Sequence, residues 1–192
     1  MASFTIFGTG NMANAIGGVF ANGGASVDYV SHEQAADAVV NGDTVVLAVP
    51  YPAVAEILKN NADKFAGKTV VDITNPLNFE TFDSLTVPVG SSAAAEIQSA
   101  LPNSRVLKAF NTTFAATLAS GKVGDTKTTV LVAGDDADAK SALVTAVQAG
   151  GLGAIDAGSL KRAHELEAIG FLQLTLAAGE KITWTGGFGV NN

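Results

Sequence analysis

The run Phe4-Thr5-Ile6-Phe7-Gly8-Thr9-Gly10-Asn11-Met12-Ala13 constrains the chain more than any other stretch. Phe4, Ile6 and Phe7 read as a buried strand. A glycine turn of the form G-x-G-x-x-A follows, and then a helix through Asn14-Ala15-Ile16-Gly17-Gly18-Val19-Phe20-Ala21. Gly8 permits a tight turn, Gly10 lets the backbone come close to a pyrophosphate, and Ala13 is small enough for helix–strand packing. The helix start then offers free N–H groups and a positive dipole end to phosphate. Glycine pairs are common in a chain with 21 glycines. The strand before this pair and the helix after it point to dinucleotide binding over a merely structural turn.

Further strands follow the same logic. The first helix stops at Asn22-Gly23-Gly24, and Ala25–Val30 reads as a second strand. Its end, Val30-Ser31-His32-Glu33, bears on cofactor choice. An acid there suits a free ribose 2′-hydroxyl, whereas phosphate-accepting groups suit a 2′-phosphate. Ser31 and His32 favour NADP. Glu33 competes in favour of NAD, and Asp28 comes too early in the strand. His32 can also be read as an ordinary exposed loop histidine.

Glu33 to Asn41 reads as a short helix, leaving little room for the additional strand of a full dinucleotide fold. Thr44–Val49 is a continuous β-branched run, as in a strand buried on both faces. It ends Ala48-Val49-Pro50-Tyr51. A helix over Ala53–Ala62 precedes the strand Thr69–Ile73, which ends Thr74-Asn75-Pro76-Leu77. Asn78–Gly90 has no periodicity and reads as a long functional loop. Ser91-Ser92 caps a helix from Ala93, with Glu96 placed for a capping interaction. The strand Ser104–Phe110 ends Asn111-Thr112-Thr113.

Beyond it come a helix over Phe114–Ser120, a loop over Gly121–Asp125 and a strand over Thr128–Ala133. A helix over Asp135–Ala149 and a short strand over Gly153–Ala157 follow. A long helix over Leu160–Ala178 and a tail from Lys181 to Asn192 with the only tryptophan, Trp184, complete the chain. The expected fold is α/β: a Rossmann-type, doubly wound, mostly parallel sheet with helices on both faces and a small C-terminal extension. No repeat or linker is visible. One domain is expected over 1–192, with a core over 1–112 and an extension over 113–192.

Composition narrows the partners. A net charge of −7 argues against nucleic acid and anionic membranes. Cysteine is absent, which removes disulfides, thiol catalysis and thiolate metal sites. Neither a signal peptide nor a membrane-length apolar run is visible, so a cytoplasmic location is expected.

In combination, several stretches resemble the NADP-dependent oxidoreductases typified by the F420H2:NADP oxidoreductase of archaea and actinobacteria. That group includes small bacterial dinucleotide-binding enzymes and is related to the reductase domain of mammalian metalloreductases. The stretches are Gly8–Met12, Val30-Ser31-His32, Val46–Tyr51, Val71–Leu77, Ser92–Glu96, Lys108–Thr112, Asp156–Leu160 and Ala163–Glu167. The resemblance implies that Thr9, Gly10, Asn11 and Met12 cradle the pyrophosphate. Ser31 would bind the 2′-phosphate, with His32 standing where relatives usually carry arginine. Val49, Pro50, Asn75 and Pro76 would line the ribose and nicotinamide, and Phe110 and Asn111 would approach the nicotinamide face. Gly8, Ala48, Tyr51 and Thr74 complete the expected cofactor-binding set.

Hydride transfer to a carbonyl normally needs a proton donor beside the acceptor. Few candidates exist. Tyr51 is a weak one, and His164, Glu165 and Glu167 read as a solvated helix face. No catalytic residue and no metal cluster is expected. A conjugated acceptor such as F420, a flavin or a quinone needs mainly two rings held face to face. Phe79, Phe82, Phe110 and Leu77 are expected to build an apolar slot for it, or else to be ordinary core. The leading expectation is therefore an NADP(H)-dependent oxidoreductase with a small-molecule hydride acceptor, functioning as a homodimer. A non-catalytic NADP(H)-binding redox sensor and an imine or carbonyl reductase are the alternatives.

Overall fold

The computed structural model describes residues 1–191; Asn192, the last residue of the expected tail, lies outside the described residues. Strands β1 (Ser3–Phe7), β2 (Ser26–Val30), β3 (Thr44–Leu47), β4 (Thr69–Asp72) and β5 (Arg105–Lys108) pair in parallel. Strands β6 (Lys122–Val123) and β7 (Thr126–Lys127) form a separate antiparallel ribbon, so the segment expected to be a plain loop carries a small hairpin. Strand β8 (Thr129–Gly134) joins β5 antiparallel, and β9 (Gly153–Gly158) joins β8 in parallel. The seven-stranded sheet has the order β2-β1-β3-β4-β5-β8-β9. The chain beyond residue 112 thus extends the same sheet.

Six α-helices accompany it among the described residues: α1 (Asn11–Asn22), α2 (Tyr51–Phe65), α3 (Ala93–Ala100), α4 (Ala115–Ser120), α5 (Ala137–Ala149) and α6 (Ala163–Ala178). The long final helix begins one turn later than the apolar pattern suggests, because Leu160–Arg162 is a 3-10 turn. Strands β1, β3, β4 and β5 are buried on both faces, β2 being the exposed edge, and their alternation divides the core in two. Phe4, Ile6, Val46, Val71 and Leu107 pack with Ile16 and Phe20 of α1 and with α5. Phe7, Val45, Leu47, Val70 and Val106 pack on the opposite face with Val54, Ile57 and Phe65 of α2 and Ile97 of α3. Burying each such side chain contributes about 1.5–3 kcal/mol. This holds β1 and β3 side by side, with their carboxyl ends level. In an open α/β sheet the ligand crevice lies where the strand order reverses, here between β1 and β3.

The expected helix over Glu33–Asn41 does not form. Residues 32–37 are turns and a bend and residues 38–42 run irregularly, with no strand or helix among them. Their polar groups are satisfied from outside: Asn61 Nδ2 donates to Ala35 O (2.8 Å), Lys64 Nζ to Ala38 O (3.0 Å) and Lys68 Nζ to Gly42 O (2.7 Å). A helix this short has little stability of its own. Tertiary hydrogen bonds from α2 and the turn after it take its place. Ser92 caps α3 as expected, accepting from Ala95 N at 3.1 Å. Glu96 instead accepts from the Ser91 hydroxyl (2.9 Å), outside the reciprocal backbone bond of a capping box.

Candidate functional site

Gly8 has φ +122°, a region side chains rarely adopt, and a Cβ there would collide with the carbonyl of Ala48. The turn is pinned on both sides by Gly8 N donating to Val30 O and Ala48 N donating to Phe7 O, each at 2.9 Å. Gly10 is the N-cap of α1 and has no side chain to cap the helix; where its Cβ would stand there is open space. The first N–H groups of α1 are therefore free to meet an anion. Asn14, not anticipated from the motif, braces the turn by donating to Thr9 O (2.9 Å) and Gly10 O (3.1 Å).

A cleft of about 680 Å³ opens at this turn. Gly8, Thr9, Gly10, Ser31, His32, Ala48, Val49 and Pro50 of the expected set line it, with Glu33, Ala35, Ala36, Glu56 and Asn60. The β2 end is tied into a small knot. Ser31 N donates to Gln34 Oε1 (3.0 Å), and the Ser31 hydroxyl donates to Glu33 Oε2 (2.7 Å). That hydroxyl is the main cause holding the Glu33 carboxyl below its usual range.

A second cavity, about 390 Å³, lies farther along the sheet edge. Asn11, Met12, Asn75 and Asn111 of the expected set line it, with Ile73, Thr113, Phe114, Leu174 and Trp184. Asn75 and Asn111 clasp each other: Asn75 Nδ2 donates to Asn111 O (2.8 Å) and Asn111 Nδ2 donates to Asn75 Oδ1 (2.9 Å). Asn111 Nδ2 also donates to Leu166 O (2.8 Å), and Gly170 of α6 packs against the clasp so closely that a Cβ would overlap Asn75 Oδ1. Two buried oxygens, Thr74 Oγ1 and Asn111 Oδ1, have no hydrogen-bond partner among the described residues.

Four expected positions lie off both cavity linings. Pro76 and Thr74 are buried behind the strand end. Phe110 has φ +64°, and its ring stands edge-on to Phe20 in the core at 5.9 Å. Tyr51 begins α2 and lines a groove between α2 and α3 with Leu58, Glu96 and Ile97. Burial, then the charges of Glu96, Glu167 and Asp72, push its phenol up.

The expected apolar slot is built from other residues. Phe110 and Leu77 are core, while Phe79 and Phe82 pair edge-to-face with each other in the long loop. The apolar walls of the second cavity come from Met12, Phe114, Leu174 and Trp184, the Phe114 and Trp184 rings lying 5.1 Å apart. The lone tryptophan in the tail was the one sequence signal for this wall.

Beneath the clasp lies a buried charge network. Lys108 Nζ, fully buried, donates to Asp72 Oδ2 (2.7 Å), Glu167 Oε1 (2.7 Å) and Thr74 O (2.6 Å). Glu167 also accepts from Ala93 N (2.9 Å) and Ala94 N (3.4 Å) at the start of α3. It is thus no part of a solvated face: at 1% exposure it caps one helix from another. Burial pushes its carboxyl up, and Lys108 opposes that. His164 Nδ1 lies 3.0 Å from Ser91 O, and Glu165 pairs with Arg162 at 2.8 Å; of the three, only these match the surface reading.

Fold and site together define a Rossmann-type nucleotide-binding protein of the doubly wound class, with its crevice at the β1/β3 reversal. The family described as "NADP oxidoreductase coenzyme F420-dependent" matches residues 24–76. The F420-dependent NADP reductase of Methanocaldococcus jannaschii is 32% identical over 167 residues, covering 85% of this chain and 74% of that one. The metalloreductase STEAP3 of Rattus norvegicus is 37% identical over 108 residues, 56% of this chain and 21% of that much longer protein. A crystal structure from Arthrobacter sp. FB24, provisionally described as an F420-dependent NADP reductase, superposes with a TM-score of 0.84. It is 24% identical, with 98% of this chain and 99% of that one covered. The chain belongs to the coenzyme-F420-dependent NADP oxidoreductase family.

No described helix is long and apolar enough to cross a membrane, and no group of acid or histidine side chains among the described residues could hold a metal ion.

Proposed function

We propose that the chain is an NADP(H)-dependent oxidoreductase passing hydride between the nicotinamide and a conjugated acceptor of the F420, flavin or quinone type. The whole chain would act as one dinucleotide-binding unit, as a homodimer. The reading is supported at the cofactor end by the uncapped start of α1, the open space over Gly10 and the orphaned Asn111 Oδ1, which all suit a bound dinucleotide. Thr9, Gly10, Asn11 and Met12 would hold the pyrophosphate, Ser31 the 2′-phosphate, and Asn75 and Asn111 the carboxamide end. When bound, the nicotinamide supplies or takes the hydride.

One observation carries the acceptor class. The second cavity is lined by amides, apolar side chains and one threonine, with no Asp, Glu, His, Lys, Tyr or Cys among its lining residues. The Thr113 hydroxyl is already committed to Phe110 O at 2.7 Å. A carbonyl acceptor would want a proton donor there. A ring that takes hydride at one of its own atoms needs only alignment, and the chain's contribution is to orient it and exclude water.

The test is anaerobic mixing of protein and NADPH with F420, FMN, FAD, quinones and, as a contrast, cyclic imines, followed at the nicotinamide absorbance. Oxidation with a conjugated acceptor and none with imines is expected. Tight NADPH binding with no acceptor reduced would replace the proposal with a sensor role. Ser31→Ala should weaken NADPH far more than NADH; an equal effect on both removes the phosphate assignment.

A further inference from the structure

The β2 end holds a competition. The Ser31 hydroxyl, the donor for a 2′-phosphate, is given to Glu33 at 2.7 Å, and Ser31 N is given to Gln34. No lysine or arginine lines the surrounding cleft, whereas two carboxylates do, Glu33 and Glu56. His32 is the only lining side chain able to carry positive charge. A phosphate entering here displaces an anion from its hydrogen bond and then remains beside that anion. A ribose with a free 2′-hydroxyl meets the opposite situation: a carboxylate at the strand end is the group that accepts from it.

We propose that Glu33 is the specificity-determining residue of the cofactor site, which admits NAD(H) alongside NADP(H). The proposal rests on the reading above that this cleft holds the adenosine end of the cofactor. Glu33 and the 2′-phosphate are rivals for one donor, so every gain in phosphate binding at Ser31 is partly cancelled by the freed carboxylate. Towards NADH, Glu33 keeps its charge and its hydrogen bond from Ser31 at Oε2, and its other oxygen accepts from the ribose hydroxyl, so neither partner is displaced. Glu33 is exposed and lies in the turns of 32–37, so its replacement leaves both cores untouched.

The experiment measures the dissociation constants of NADPH and NADH by titration with the wild type, Glu33→Gln and Glu33→Ala. For the wild type, the two constants should lie within about tenfold of each other. Glu33→Gln keeps the size and removes the charge; it should shift the ratio towards NADPH by about tenfold, a change of about 1.4 kcal/mol. Glu33→Ala should in addition weaken NADH, having no acceptor for the ribose hydroxyl. A wild type that binds NADPH and excludes NADH overturns the proposal and leaves the proposed function standing. So does a ratio that moves less than about twofold in Glu33→Gln, which is under about 0.4 kcal/mol. Binding of neither cofactor overturns both.

Discussion

Replacing Lys108 with methionine tests whether the charge network under the site is a structural keystone. Methionine keeps much of the length and leaves two carboxylates, Asp72 and Glu167, facing each other in the interior without their cation. The ammonium satisfies three acceptors at 2.6–2.7 Å and is fully buried. Breaking a buried ion pair by removing one partner costs about 3–5 kcal/mol. For a chain of this size each kcal/mol moves the melting midpoint by roughly 2–4 °C, so a fall of roughly 6–20 °C is expected.

The loss should also depend on pH, with a definite sign. Burial already holds the Glu167 carboxyl above its usual range. Without Lys108 it rises further. A carboxyl whose folded pKa is raised contributes stability below its unfolded value, about 4.3, and that stability is lost as pH rises through the folded value. The gap between variant and wild type therefore widens from acid to neutral pH. Urea unfolding followed by circular dichroism across that range measures it. A loss under about 1 kcal/mol at neutral pH, below the range for breaking a buried pair, would refute the assignment, as would a gap that does not change with pH. Adding Asp72→Asn and Glu167→Gln to Lys108→Met should restore part of the stability, since the uncompensated charge goes with them.

Gly170→Ala should push α6 off the Asn75–Asn111 clasp, costing about 1–3 kcal/mol by overpacking and raising the KM for cofactor; calorimetry and steady-state kinetics report the two effects. Tyr51→Phe should leave hydride transfer within about twofold, because the phenol faces the α2–α3 groove; a pH-dependent fall of more than about tenfold would revive it as a proton donor. Trp184→Ala should slow reduction of a planar acceptor by about tenfold, the loss of one stacked aromatic face, while the NADPH dissociation constant stays within about twofold; binding and turnover measured separately distinguish these outcomes.

Local patterns disclosed the sheet well. The β-branched runs, the glycine turn and the polar strand ends gave the parallel strands and their common edge, because each is decided within a few residues. The failures are of another kind. Glu33–Asn41 has the composition of a helix, but Asn61, Lys64 and Lys68, two to three dozen residues away, supply the hydrogen bonds it would have made to itself. Glu167 looks like a surface acid beside His164 and Glu165 until β5 places an ammonium beneath it. Spacing along the chain points to the phenylalanines nearest the strand ends for the cavity walls. The walls come instead from Met12 of α1, Phe114 just before α4, Leu174 of α6 and Trp184 of the tail, and the last two reach this edge only by the return of α6 across the fold. All three depend on contacts between distant segments, which spacing along the chain does not encode.

The turns and irregular chain of residues 31–42 have a consequence for how such a protein can change. Their carbonyls are anchored by side chains from α2 and the turn beyond it, whereas Ser31, His32 and Glu33 line the cleft. Scaffold and recognition are thus written in different parts of the sequence. Positions 32 and 33 can be exchanged, by mutation or by design, without disturbing the bonds from Asn61, Lys64 and Lys68 that anchor the segment. On the proposed role of Glu33, a lineage bearing this arrangement would drift between cofactor pools through single substitutions at this strand end, with the anchoring bonds intact.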